Sequence, residues 1–304
     1  MIVVRALSIS IRLLKPLGLL WLGVFACAIV HASETQWQSH AQPVFLSPLG
    51  NSPPIEGQVD TILEDQQGFI WLVAANGLWR WDSKSLVRAR FEGADNEAPA
   101  PQVNHGFSDA KGRIWIGTSN GLYRLTPGTS SFTAVAPGQL QNITVQAGTV
   151  ISLPHTDIVI LASDRTLYQF DTASAQLKQL PIAPNARIHA LHVSQANTLW
   201  VGTDKGLYRS DLNKNRFAPL QIAPGFPEGI RVSAITSTAK ENLVVGTAAE
   251  GLFVQSEASG FRNYTLAQDD SPWLFTVTEI RPDVLLLGTF GDGLIELNLA
   301  NQTT

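Results

Sequence analysis

Arg187, Arg231 and Trp273 occupy the same position in three copies of a repeated pattern, and Gln58 and Gln102 occupy it in two more. Two guanidinium groups in such a ring can hold a carboxylate or sulfate in forked hydrogen bonds. An indole beside them can stack on a sugar or an aromatic ring. Two residues further on in each copy stand Asp60, Asn104, Thr149, His189, Ser233 and Phe275, adding amide, imidazole and hydroxyl groups. These residue types suit ligand recognition, and Gln58, Gln102, Asn104, Arg187, His189, Arg231 and Trp273 form the candidate binding rim. The competing reading is structural: strand ends around a wet channel are polar whether or not anything binds.

No residue set in the chain reads as catalytic. The nucleophile elbow Gly-x-Ser-x-Gly, the Walker loop and the zinc-protease His-Glu-x-x-His are all missing. His189 and His192 are three apart on a strand and so point to opposite faces, which is wrong for chelating one metal, and His105 and His155 lack neighbouring acidic or thiol ligands. Gly-Thr-Phe-Gly-Asp-Gly at 288–293 imitates a phosphate loop, but it falls on a copy of the repeated hairpin. No cofactor and no metal are expected.

The elements that must position the rim are hairpins. In the clearest copy, Ile114, Trp115 and Ile116 lead to Gly117-Thr118, and Ser119-Asn120-Gly121 turns the chain into Leu122 and its successors. Asn-Gly between two strand-like runs is a strong hairpin signal, because both residues tolerate the positive φ of a tight turn. The residue before the recurring leucine marks each copy: Gly77, Gly121, Thr166, Gly206, Gly251 and Gly293. A spacing of about 40–45 residues is the length of a four-stranded propeller blade, while the commonest helical repeats run at about 33–34. Trp71, Trp115 and Trp200 each stand six residues before the mark. In the last two copies the distance from the equivalent residue, Val244 or Leu286, is one longer, so an extra loop residue is expected there.

The pattern predicts an all-β chain: a six-bladed β-propeller of four-stranded antiparallel blades. Inner strands are expected at 58–63, 102–107, 149–153, 188–193, 232–237 and 274–278. Outer strands are expected at 87–91, 132–135, 177–180, 217–220 and 261–265. The sixth copy lacks an outer strand, and Val44, Phe45 and Leu46 can supply it, closing the ring. Asp65 and Asp109 begin Asp-x-x-Gly turns in which the carboxylate bonds backbone two residues on and glycine takes the difficult dihedral. The tryptophans are expected to fill the space between blades. The third copy has lost the signature, with His155 and Asp157 in place of the turn and Ala162 to Thr166 in place of Gly-Thr-x-x-Gly.

Residues 1–32 read as an export signal: Arg5, Arg12 and Lys15 precede 14 uncharged residues at 17–30, and Val30-His31-Ala32 offers a cleavage site. An uncleaved anchor and lipid attachment at Cys27 are the alternatives; that cysteine is the only one in the chain. Residues 33–304 then form one propeller domain in the periplasm. With 44% hydrophobic and 15% charged residues among 304, the chain has enough apolar content for a large core. Its net charge of −4 and lack of a basic stripe argue against nucleic acid as a partner.

The second copy, Asp109-Ala-Lys-Gly-Arg-Ile-Trp-Ile-Gly-Thr-Ser-Asn-Gly-Leu-Tyr-Arg124, resembles the two-component regulator propeller repeat. So do the first, Ile-Leu-Glu-Asp-Gln-Gln-Gly-Phe-Ile-Trp-Leu at 62–72 followed by Asn-Gly-Leu-Trp-Arg-Trp-Asp at 76–82, and Leu-Trp-Val-Gly-Thr-Asp-Lys-Gly-Leu-Tyr-Arg at 199–209. The resemblance implies an exported sensor region of a bacterial receptor that commonly precedes a membrane helix and a histidine kinase or diguanylate cyclase. It implies a non-catalytic module in signal transduction with two partners, a small-molecule or oligosaccharide ligand (an anionic one among the candidates) and a membrane receptor. Six repeats stand where seven are common, and nothing follows the propeller. A shortened receptor and a propeller lyase or glycan-active enzyme are the competing readings.

Overall fold

The computed structural model describes residues 59–82, 84–92, 101–125, 128–129, 131–152, 155–180, 186–195, 197–211, 220–256, 260–266, 273–290 and 293–300. The expected leader, the closing strand at 44–46 and Gln58 lie outside the described residues.

Blade 1 comprises β1 (Val59–Glu64), β2 (Ile70–Ala74), β3 (Gly77–Trp81) and β4 (Leu86–Arg88). A short β5 (Arg90–Phe91) leaves it and joins blade 2, which is β6 (Val103–Ser108), β7 (Ile114–Thr118), β8 (Gly121–Leu125) and β9 (Ser131–Ala134). A four-residue helix, α1 (Pro137–Leu140), leads into blade 3: β10 (Ala147–Ser152), β11 (Asp157–Ser163), β12 (Thr166–Asp171) and β13 (Gln176–Leu180). Blade 4 holds β14 (Ile188–Val193), β15 (Thr198–Thr203), β16 (Gly206–Asp211) and β17 (Gln221–Ile222). Blade 5 holds β18 (Val232–Ser237), β19 (Leu243–Thr247), β20 (Leu252–Ser256) and β21 (Gly260–Tyr264). Blade 6 shows β22 (Leu274–Arg281), β23 (Val284–Thr289) and β24 (Leu294–Asn298) among the described residues. Neighbouring strands within each blade are antiparallel, and the first strands of successive blades lie side by side, so this is the six-bladed propeller that the repeats predict.

Five apolar cores fill the five seams between successive blades. Trp71 and Trp115 are fully buried, Trp71 meeting Phe132 of blade 2 edge-on at 5.0 Å, and Trp200 packs with Val232 and Phe253 of blade 5. The tryptophans therefore fill the seams, as expected. The glycine of the Gly-Thr pair is explained by the same packing: Val145 presses on Gly117, Val232 on Gly202, and Leu274 with Val277 on Gly246. A Cβ at those positions would displace the next blade.

The buried threonine beside that glycine clasps the hairpin. Thr118, Thr203 and Thr247 donate their hydroxyls to the carbonyls of Gly121, Gly206 and Gly251 at 3.0, 2.9 and 2.8 Å. Thr118 and Gly121 pair directly, whereas Thr247 reaches Gly251 across the one extra residue anticipated from the spacing. The turn differs from expectation in one respect. Gly121 takes the positive φ of 101° as the first residue of its strand, and Asn120 has no positive φ.

Two other expectations shift. The outer strand of blade 1 breaks at Ala89, because Arg90 and Phe91 pair in parallel with Ser131 and Phe132, where Phe91 packs edge-on against Tyr123. In blade 4 Gln221 and Ile222 form β17, while residues 217–219 of the expected outer strand lie outside the described residues. In blade 3 the inner strand begins at Ala147 rather than Thr149, which matters for the rim.

Candidate functional site

The rim is built by a repeated backbone irregularity. In blades 1, 2, 4, 5 and 6 the first strand slips register by one residue between Val59 and Thr61, Val103 and His105, Ile188 and Ala190, Val232 and Ala234, and Leu274 and Thr276. The unpaired residue in each slip is Asp60, Asn104, His189, Ser233 or Phe275, which is the second ring read from the sequence. A bulge frees one residue from the ladder and re-aims its side chain. Blade 3 has no such slip in its paired strand, so its member is not Thr149, which pairs with Ile160. Gln146, just before the strand, takes that place.

The residue before each bulge is held by the hairpin. The carbonyls of Gln102, Arg187, Arg231 and Trp273 accept the N–H groups of Ser119, Asp204, Ala248 and Phe290 at 2.9, 3.0, 3.1 and 2.9 Å. The turn thus fixes where each rim side chain starts. Two bulge side chains also tie neighbouring blades: Asn104 Nδ2 donates to the Val145 carbonyl at 3.3 Å, and the Ser233 hydroxyl donates to the Leu274 carbonyl.

A cavity of about 500 Å³ opens at this end of blades 1 to 4, lined by Asp60, Ala75, Gln102, Val103, Asn104, Gln146, Arg187, Ile188 and His189. Four of the seven candidate residues, Gln102, Asn104, Arg187 and His189, meet here. Arg231 and Trp273 do not line it. They form a second cluster on blades 5 and 6, where the Arg231 guanidinium lies 4.5 Å from the Trp273 ring centroid and Phe275 stacks on that ring at 5.3 Å and 10°. The indole is therefore already engaged by a cation and an aromatic ring. Arg187 differs as well: its Nε pairs with Asp164 at 2.8 Å, while Arg187 and Arg231 both act on His189. Gln146 went unnoticed in the sequence because blade 3 has lost its signature; its Oε1 accepts the Asp164 N–H at 2.7 Å.

Burial acts on both an acidic and an imidazole group of the wall. Burial pushes the Asp60 carboxyl up and the His189 imidazole down, and Arg231 and Arg187 lower His189 further against the opposing pull of Asp204 and Asp164. His189 Nε2 is buried with no hydrogen-bond partner among the described residues. A neutral imidazole with an unused ring nitrogen can accept or donate one hydrogen bond. Together with three amides, an arginine and a carboxyl, the wall offers alternating donors and acceptors. Among the described residues no three metal-ligating side chains converge.

No family model and no curated relative matches the chain. Solved structures do match its fold. The extracellular domain of a hybrid two-component system from B. thetaiotaomicron superposes with a TM-score of 0.62 at 21% identity, over 81% of this chain and 32% of that one. A virginiamycin B lyase from Staphylococcus aureus superposes with a TM-score of 0.60 at 13% identity, over 80% of each chain. PorZ, a surface component of the type-IX secretion system of Porphyromonas gingivalis, gives 0.58 at 18% identity, over 79% and 38%. The chain spans about a third of the length of the first two-component structures it matches. The propeller predicted from the repeats is therefore the fold this chain shares with extracellular domains of two-component systems, with a lyase and with a secretion-system component.

Proposed function

We propose that this chain is an exported, non-catalytic sensing propeller of a bacterial signal-transduction system, which binds a small polar molecule or oligosaccharide in the cavity at the bulge end of blades 1 to 4. The carrying observation is that the same irregularity in separate blades aims Asp60, Asn104 and His189 into one space. Packing within a blade does not require those side chains to converge. Because the arginines are engaged by Asp164 and Trp273, the site suits a ligand rich in hydroxyl or amide groups at least as well as an anion. Binding would act by favouring one arrangement of the propeller relative to its receptor, limited by the ligand's preference between the arrangements.

The fold likeness to a lyase, with a raised carboxyl and a lowered imidazole in one cavity, supports the enzymatic alternative. Thermal-shift screening of the purified chain against sugars, amino acids and small carboxylates, followed by mass spectrometry of each hit, separates the two readings. A hit that stabilises and is recovered unchanged supports sensing; one that is consumed supports a lyase.

A further inference from the structure

Once the bonds made within the protein are subtracted, the wall of the cavity at the bulge end of blades 1 to 4 has two unlike sides. On blade 1 the Asp60 carboxylate makes no hydrogen bond or ion pair among the described residues, and burial alone acts on it. On blade 2 the Val145 carbonyl takes up Asn104 Nδ2, which leaves Oδ1 as the open atom of that amide. Blades 1 and 2 therefore offer mainly acceptors.

Blades 3 and 4 offer mainly donors. Gln146 Oε1 accepts the Asp164 N–H at 2.7 Å, so Nε2 is the atom that stays open. Asp164, at a φ of 50°, accepts the Ile188 N–H on its carbonyl at 2.8 Å and Arg187 Nε on its carboxylate at 2.8 Å. The Arg187 backbone N–H is held in turn by Asp204 Oδ1 at 2.9 Å. The arginine is thus fixed at both ends, yet only Nε of its guanidinium is in use among the described residues. Its two terminal nitrogens keep the forked edge that grips a carboxylate.

Asp60 and Arg187 belong to the first and last of the four blades that line the cavity, and they do not pair with each other. A ligand with only a carboxylate leaves Asp60 unmatched, and one with only an ammonium leaves the Arg187 fork empty; unmatched polar groups lower affinity. We infer that the cavity takes a small zwitterion, an α- or ω-amino acid, with its carboxylate on the terminal nitrogens of Arg187 and its ammonium on Asp60 and Asn104 Oδ1. This inference rests on the reading of the cavity as a ligand site and adds the chemical class. His189 Nε2 and the Gln102 amide, each able to give or take a bond, are available to the atoms between the two charges. A space of about 500 Å³ is ample for such a molecule.

Isothermal titration of the full chain tests it, with the protein α-amino acids and the ω-amino acids from glycine to aminohexanoate as probes. Each is compared with its N-acetyl derivative, which lacks the ammonium, and its amide, which lacks the carboxylate. At least one zwitterion should bind, and both of its derivatives should bind at least about tenfold more weakly. Asp60→Asn should weaken the zwitterion by a similar factor and add nothing to the loss that N-acetylation already causes; Arg187→Gln should behave in the same way towards amidation. Both side chains are exposed, so the variants should keep the parent's circular-dichroism spectrum. A zwitterion whose affinity survives Asp60→Asn would overturn the proposal, and so would a panel in which no zwitterion binds. In that second case a neutral sugar or simple carboxylate that binds the parent and is lost in His189→Ala keeps the cavity as a ligand site and rejects only the zwitterion, whereas one that binds His189→Ala at full strength rejects the cavity as well.

Discussion

The buried Asp109 carboxylate accepts the indole N–H of Trp115 at 2.9 Å, and Asp65 does the same for Trp71 at 2.8 Å. The other oxygen of each carboxylate takes the backbone N–H groups two and four residues on, at 2.9 and 3.0 Å in both turns. One side chain therefore closes the turn and orients the tryptophan that fills the seam. This explains why the Asp-x-x-Gly turn and the tryptophan travel together in the first two repeats; in blade 4, Ser194 stands at the aspartate position.

Replacing these aspartates should have unequal effects. Asp109 also pairs with Arg113, which in turn reaches Asp157 of blade 3 at 2.7 Å. Asp109→Ala leaves a partly buried guanidinium, an indole and two amides short of an acceptor and should cost about 3–5 kcal/mol. Asp65→Ala has no arginine to strand and should cost about 1–3 kcal/mol. Urea unfolding of the two variants measures the difference; equal losses would show that the Arg113 link adds nothing.

The threonine clasp makes a similar comparison. Thr118→Val conserves shape but leaves a buried carbonyl and the Asn120 amide short of a partner, for an expected loss of about 1–3 kcal/mol. Thr289 makes the equivalent bond at 3.0 Å in an exposed setting, where water substitutes, so Thr289→Val should cost well under 1 kcal/mol. Denaturant midpoints of both variants check the ordering.

Stability should fall as pH drops from about 6.5 towards 4. Burial lowers His105 and His192 from 6.5 to about 4, and lowers His189 as well. Their neutral forms are kept in the fold, while the unfolded chain takes up protons below its ordinary histidine value, so the stabilisation is complete above about 6.5 and lost on acidification. Asp157 titrates lower: its burial raises the pKa, but hydrogen bonds from Lys111 and Arg113 outweigh that and lower it, so its contribution disappears only at more acidic pH. His105→Gln should remove on the order of 1–3 kcal/mol of the drop in this window. Thermal unfolding of parent and variant between pH 4 and 7 measures it.

Much of this architecture was legible in the residues. The leucine after each marker, the six-residue spacing from the tryptophan and the Gly-Thr pair identify hairpins, and their period identifies blades. The extra loop residue before Gly251 followed from the same counting. Side-chain direction at the rim was harder to read, because strict two-residue alternation does not anticipate a bulge. The bulge put His189 into the cavity, and the loss of signature in blade 3 hid Gln146. The partners of Arg187 and Trp273 were also invisible: Asp164 lies on another blade, and Phe275 was read as a second ring member rather than a stacking neighbour.

The central claim is that the cavity walled by Asn104 and His189 receives the ligand. Isothermal titration of a hit from the thermal-shift screen into the parent chain and into His189→Ala tests it directly, with Arg262→Ala, outside the cavity, as the control. The account predicts at least a tenfold weaker Kd for His189→Ala, an unchanged Kd for Arg262→Ala, and the same unfolding midpoint for all three proteins without ligand to within about 3 °C. An unchanged Kd for His189→Ala would contradict it.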